Sequence, residues 1–358
     1  MFLNKFREKI YVNRHIKIKL EILEAELAKI RQHSDLLAIC PKPTGYNWMG
    51  VNRATNNLFP DSVFEIPQYF SHSVYSKQEL VIIAGFISKL KFERIVFSGF
   101  VNYFSLIIEE LKKYNKDIFI GTIYHGSLSE MSGNSQMKDN FSLIINLIKN
   151  KKIDRIGFIK KGLDICINKI YNIQTYPIIL APPDVSGIYP LEYKDSFLHI
   201  GVLANNQFRK NLHNQVAAAL MINNAIVHVS DKKEFFYLNQ DKRIVDHPAS
   251  MPRNNFLSLL AGMKINLYNT YTETWGQAVI ESLALGVPCL TNNSSGILDF
   301  DLKLKQYLTV EEHDNPTAIY YKILNTLNIY KEISKMGFEY SGLIRQKSDE
   351  SLKKFVND

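Results

Sequence analysis

Cysteine is scarce in this sequence: Cys40, Cys166 and Cys289 are the only three in 358 residues. They lie far apart in apolar stretches. Neither a disulfide framework nor the paired spacing of a zinc site is available, and buried thiols in a reducing compartment are expected. Long apolar runs are also missing, and none approaches the roughly 20 residues that span a bilayer. The start, Met1-Phe2-Leu3-Asn4-Lys5-Phe6-Arg7, meets a charge at Lys5 and lacks the apolar stretch of a signal peptide. No His-Glu-x-x-His, Walker loop or Gly-x-Ser-x-Gly occurs. The expected location is cytoplasmic.

What is present describes a globular protein. Hydrophobic residues make up 46% and charged residues 22%, which argues against extended disorder, and 19 Tyr with 21 Phe imply large buried surfaces. The length suits two domains rather than one compact core. Net charge is +8, but residues 1–20 alone carry +5. Nucleic-acid proteins spread basic residues over a binding face, so no nucleic-acid partner is expected here.

The basic arm, residues 1–34, runs into a helical pattern. Ile16, Leu20, Leu23, Leu27 and Ile30 form an apolar seam at heptad spacing. A helix docked on its own protein explains that seam. A homodimer through residues 16–30 is the alternative. For residues 1–20, an anionic membrane surface is a further candidate partner, with Phe2, Leu3, Phe6, Ile10 and Tyr11 inserting among the cations.

From Asp35 onward, short apolar runs alternate with amphipathic stretches. Strands are expected at Leu36–Cys40, Val63–Ile66, Arg94–Phe97, Ile118–Tyr124, Arg155–Ile159 and Pro177–Leu180, with helices between them. After the segment Val185–Asp195, a second series has strands at Leu198–Leu203, Ala225–Val229, Arg243–Val245, Lys264–Tyr268 and Pro288–Thr291. Pro316–Tyr330 and Ser348–Phe355 read as helices. The pattern predicts an α/β protein of two Rossmann-like doubly wound domains, 35–184 and 196–330, facing a cleft. Residues 331–358 form a helical tail that packs back on the first domain.

One segment carries the chemistry: Tyr271-Thr-Glu-Thr-Trp-Gly-Gln-Ala-Val-Ile-Glu-Ser-Leu-Ala-Leu-Gly-Val-Pro-Cys-Leu-Thr291. Glu273 lies in a loop after a strand, Gly276 opens a helix, and Glu281 sits inside that helix. A helix N-terminus offers free N–H groups and partial positive charge, which suit a phosphate. Carboxylates on either side of it suit hydroxyls, so the implied ligand is a sugar, a diphosphate and a ribose. A cap at Glu273 and a solvated residue at Glu281 would be the plainer explanation of two glutamates alone.

With Trp275-Gly276 after the first Glu and Leu285-Gly286-Val287-Pro288 after the second, the segment resembles the donor-binding motif of retaining glycosyltransferases of family 4 and their relatives, which have the GT-B fold. The resemblance implies that Glu273 binds the donor sugar and Glu281 the ribose, with backbone N–H groups of Thr274, Trp275, Gly276 and Gln277 facing sugar and diphosphate. Arg209 and Lys210, after strand Leu198–Leu203, resemble the cations that such enzymes present to the diphosphate; Val202 stands where the family usually has its Arg. His125, at the end of strand Ile118–Tyr124, matches a His that many relatives place near the reacting sugar. The loop Lys42–Gly50 resembles the family's glycine-containing loop, making Gly50 a phosphate or acceptor contact and Tyr46 and Trp48 a stacking face.

The resemblance implies a retaining, metal-independent hexosyl-type glycosyltransferase; the basic arm adds a peripheral place on the inner face of the cell membrane as an expectation. The donor lies under the second domain, the acceptor comes from the first, and the leaving phosphate assists deprotonation on the same face. The acceptor is a glycan, a lipid-linked glycan or a protein, as in bacterial surface glycan assembly. No metal and no cofactor is expected, since the nucleotide sugar is a substrate. A non-catalytic GT-B scaffold binding a partner protein and a nucleotide-sugar epimerase are the competing readings.

Overall fold

The computed structural model describes residues 20–43, 48–66, 76–205, 207–230, 235, 241–248 and 250–357. Residues 1–19, the part of the basic arm with the expected membrane contacts, and Tyr46 lie outside them. The chain forms two units. One runs to Phe158 and adds Gly162–Ile178 and residues 351–357; the other holds Ile159–Lys161 and Ile179–Glu350.

In the first unit, six parallel strands are β1 (Leu36–Pro41), β2 (Val63–Ile66), β3 (Arg94–Ser98), β4 (Phe119–Tyr124), β5 (Arg155–Phe158) and β6 (Thr175–Pro177). Their order is β2-β1-β3-β4-β5-β6. Helix α1 (residues 20–31) buries Leu20, Leu23 and Leu27 in this unit's core, with Ile30 packed against it. From Leu20 to Ile30 the seam is thus docked on its own chain, the first of the two readings it allowed; Ile16 lies outside the described residues. Helices α2 (Met49–Leu58), α3 (Lys77–Lys89), α4 (Phe104–Tyr114), α5 (Ser135–Lys149) and α6 (Leu163–Tyr171) complete the layers. Strand β6 starts two residues before the expected Pro177–Leu180, and the backbone continues only as far as an Ile178 N–H bond to the Phe158 carbonyl. Cys40 is buried as expected, but Cys166 on α6 is only half-buried.

The second unit has five parallel strands: β7 (Leu198–Val202), β8 (Ala225–Ser230), β9 (Ile244–His247), β10 (Ile265–Tyr268) and β11 (Cys289–Thr291), ordered β11-β10-β7-β8-β9. Strand β9 begins one residue later than the expected Arg243–Val245. The helices are α7 (Leu212–Leu220), α8 (Arg253–Gly262), α9 (Gln277–Ala284), α10 (Leu302–Leu308) and α11 (Pro316–Asn328). Helix α12 (Tyr330–Asn357) begins here and ends in the first unit. Its 28 residues make the helical tail expected over 331–358 one continuous helix, of which only Ser348–Phe355 was marked out by its own apolar pattern. Gly337 and Gly342 lie inside it, before that pattern begins. A side chain at Gly337 would stand 2.8 Å from Leu283, so this glycine lets the helix approach α9 rather than ending it.

In each sheet the chain winds outward one way and then the other. The direction reverses between β1 and β3 in the first unit and between β7 and β10 in the second. Ligands of open parallel sheets bind at the carboxyl ends of strands beside such a reversal.

Three histidines on neighbouring strands of the second unit form a line. Asp195 Oδ1 lies 2.9 Å from His199 Nε2, His199 Nδ1 lies 2.8 Å from His228 Nε2, and His228 Nδ1 lies 2.8 Å from His247 Nε2. Tyr193 stacks on His199 with ring centres 3.7 Å apart. An ionised Asp195 only accepts, so every neutral ring in the line must carry its hydrogen on Nε2.

Candidate active site

The loops after β7 and β10 meet at the reversal of the second sheet. Phe208–Lys210 is a single tight helical turn, ended by Asn211 in the left-handed region at φ 52°. The Tyr271 N–H bonds to the Arg209 carbonyl at 2.8 Å, which ties the two loops together. Asn211 Nδ2 donates to the Asn269 carbonyl at 2.9 Å.

This tie brings Arg209, Lys210 and Glu273 into one cluster. Glu273 Oε2 accepts from Arg209 Nη1 at 3.1 Å, from the Tyr268 hydroxyl at 2.8 Å, and from Lys210 Nζ. Glu273 Oε1 accepts from the Thr274 N–H at 3.0 Å. Burial alone would raise the Glu273 carboxyl, but Lys210, Arg209 and the Tyr268 hydrogen bond outweigh it and hold the carboxyl down at about 2. Glu273 is therefore ionised throughout the physiological range, facing two cations. Its loop is held from behind by Lys160 Nζ, which donates to the Glu273 carbonyl at 2.7 Å.

Gly276 follows in the left-handed region at φ 87°, a conformation that costs an L side chain roughly 1–2 kcal/mol, and it opens α9. Trp275 is buried, with its indole N–H unpartnered among the described residues. Of the four N–H groups expected to face sugar and diphosphate, that of Thr274 is turned onto the Glu273 carboxylate. Glu281, one helical turn and more inside α9, is 3% exposed and pairs with Arg253 Nη2 at 2.7 Å. The solvated-residue explanation of Glu281 is thereby removed. Glu273 pairs with two cations and Glu281 with a third.

The first unit holds the remaining candidates. His125 follows β4, and its Nε2 lies 2.9 Å from Ser98 Oγ at the end of β3. Burial pushes the imidazole down to about 3, so it is neutral at working pH. Trp48 caps α2 in the left-handed region at φ 66° and is half-buried against the first unit's core, which limits the stacking face expected of it. Gly50 lies in α2, and a side chain there would meet nothing within 4 Å. Gly99, by contrast, is tightly constrained: a Cβ there would stand 2.4 Å from Val51. Among the described residues, no group of three or more His, Cys, Asp or Glu could hold a metal ion.

Tyr268, Lys160, Arg253 and Ser98 were not singled out from the sequence. Tyr268 and Ser98 are the last residues of β10 and β3, and that strand-end position was the available signal. Lys160 and Arg253 gave none, because they reach the site through tertiary contact.

No protein-family model and no curated protein sequence matches the chain. Solved structures do. Sucrose-phosphate synthase from Thermosynechococcus elongatus superposes with a TM-score of 0.61 at 12% identity, covering 89% of this chain and 98% of that one. Alr3699/HepE from Anabaena, in complex with UDP-glucose, gives 0.62 at 10% identity over 89% and 99%. WaaG, a glycosyltransferase involved in lipopolysaccharide biosynthesis, gives 0.60 at 10% identity over 90% and 100%.

The fold is GT-B.

Within the GT-B frame, the Glu273 cluster lies at the carboxyl edge of the second sheet, and His125 at that of the first. At 8–12% identity the likeness speaks for the fold. The chemistry has to be argued from the residues.

Proposed function

We propose that this protein is a retaining glycosyltransferase that transfers a sugar from a nucleoside diphosphate to an acceptor hydroxyl without a metal ion. The observation that carries this reading is the hydrogen-bonded cluster of Glu273, Arg209, Lys210 and Tyr268, half-buried but for the buried Lys210, placed before the N-terminus of α9. Two cations beside free helix N–H groups suit the charge that grows on a departing diphosphate. A carboxylate held ionised in the same cluster suits the hydroxyls of the sugar, which gains positive charge as the bond breaks.

On this reading Arg209 and Lys210, now paired with Glu273, turn toward the diphosphate when the donor binds. Arg offers a planar fork to phosphate oxygens and Lys a compact charge, so neutralisation needs no divalent ion. Glu281, oriented by Arg253, takes the ribose hydroxyls. His125, neutral, contacts the reacting sugar. The leaving phosphate receives the proton of the acceptor hydroxyl on the face it departs from, which retains configuration. The HepE structure, with UDP-glucose bound, supports a nucleoside-diphosphate sugar as the donor class. The acceptor we favour is a membrane-associated glycan, on the strength of the basic residues 1–20.

A thermal-shift screen of nucleotide sugars in EDTA tests this. A ligand that binds only the folded protein adds about 2.7 kcal/mol at 100 times its Kd. Stabilisation by a nucleoside diphosphate and by its sugar, undiminished by EDTA, is expected. A strict need for a divalent cation overturns the metal-independent mechanism, and no response to any nucleotide leaves the scaffold reading in its place.

A further inference from the structure

A second hydrogen-bonded line runs through the first unit, joining α2, β3 and β4. Thr55 Oγ1 lies 2.8 Å from the Val51 carbonyl oxygen, Ser98 Oγ lies 2.6 Å from Thr55 Oγ1, and His125 Nε2 lies 2.9 Å from Ser98 Oγ. Thr55 and Ser98 are fully buried.

The donors can be assigned in turn. Thr55 also touches the Cys40 thiol, but a carbonyl oxygen is the stronger acceptor and only accepts, so the single Thr55 hydrogen goes to Val51 at 2.8 Å. Thr55 Oγ1 is then an acceptor toward Ser98, which spends the single Ser98 hydrogen. Ser98 Oγ in turn can only accept from the ring, so His125 Nε2 must carry a hydrogen. A neutral imidazole has one N–H, which leaves Nδ1 as a bare lone pair.

We propose that Thr55 and Ser98 are positioning residues that fix His125 as its Nε2–H tautomer and so present Nδ1 as a hydrogen-bond acceptor to a sugar hydroxyl. The inference rests on the reading of His125 as a sugar contact, and it adds direction to that contact. An Nδ1–H ring would donate to the sugar, whereas the ring held here accepts from it. Next to Ser98, Gly99 stands at φ 77° with room for no side chain: a Cβ there would lie 2.4 Å from a Val51 methyl on α2.

Nitrogen-15 NMR of histidine-labelled protein reads the tautomer directly, with the His125 signal identified by its loss in His125→Ala. The wild type should show Nε2–H with no titration down to pH 5. In Thr55→Val the Ser98 hydroxyl loses its acceptor and turns to the ring, so His125 should switch to Nδ1–H. Ser98→Ala should give a mixture of both forms. Both variants should lose about tenfold in kcat, with donor KM unchanged. An Nδ1–H ring in the wild type, or variants that melt earlier but keep the tautomer, overturns the proposal. If the tautomer moves as stated while His125→Ala remains fully active, the positioning holds and the sugar-contact reading falls. If His125→Ala is inactive and neither variant moves the tautomer, the positioning falls and the sugar contact holds.

Discussion

Both oxygens of the Glu273 carboxylate are engaged. Its Oε2 is shared by Lys210, Arg209 and the Tyr268 hydroxyl, while Oε1 holds the Thr274 N–H. On the proposed mechanism, the carboxylate thus occupies the cations that serve the diphosphate. Glu273→Gln keeps the shape and removes the charge, so nucleoside diphosphate affinity should hold or tighten. Turnover should fall about 10- to 150-fold, the worth of one hydrogen bond to a charged group. Glu281→Ala should instead weaken nucleoside diphosphate binding by a similar factor, and Arg253→Ala should follow it by leaving Glu281 buried and unpaired. Calorimetric titration with the free nucleotide, beside steady-state kinetics, separates the two carboxylates. Weakened nucleotide binding in Glu273→Gln would contradict a competition between carboxylate and diphosphate for the same cations. Both glutamates were legible in the sequence because spacing, strand and helix start lie within one local segment. Their partners were not, since Tyr268, Arg253 and Lys160 meet them only through the folded chain.

Strands were the most legible elements, because their apolar runs are long enough to be buried on both faces of a parallel sheet. Helix α10 was missed: Leu302-Lys-Leu-Lys-Gln-Tyr-Leu308 alternates with the period of a strand. What starts the helix is the Asp301 side chain, which accepts the Leu304 N–H at 2.9 Å. Alternation also hid the meaning of His199, His228 and His247, which lie on three separate strands and become a line only once the sheet is assembled. Burial first, then His247 and His199, push His228 down to about 3, against an opposing pull from Asp195. His247 is lowered too, by burial against the pull of Asp246. The unfolded chain has His228 near 6.5, so between about pH 3 and 6.5 it binds a proton that the folded chain refuses. The stabilisation is therefore complete above 6.5 and is lost as pH falls below it, by about 1.4 kcal/mol per pH unit for one proton. Urea unfolding from pH 7 to pH 4 should show this slope, and His228→Asn should reduce it by one proton. An unchanged slope in the variant would place the acid sensitivity elsewhere.

Across the whole molecule, the C-terminal residues matter to the first unit. Phe355 is fully buried there, its ring seated over two glycines on β4 and β5: a side chain at Gly121 would stand 2.8 Å from it, and one at Gly157 would stand 3.5 Å away. Arg155 Nη1 donates to the Phe355 carbonyl at 2.8 Å and lies over the Phe119 and Tyr176 rings. Phe355→Ala should cost about 3–5 kcal/mol, the usual loss for a buried phenylalanine, and the loss should fall on the first unit. Hydrogen exchange read strand by strand would locate it; equal loss of protection in β7 and β10 would refute the assignment. A ribosome adds about 5–20 residues per second, so Phe355 emerges on the order of ten to thirty seconds after β6 is made. Through that interval the sheet of the first unit has an open groove along β4 and β5. The nascent chain must keep this groove from other apolar segments until its own last turn of helix arrives to fill it.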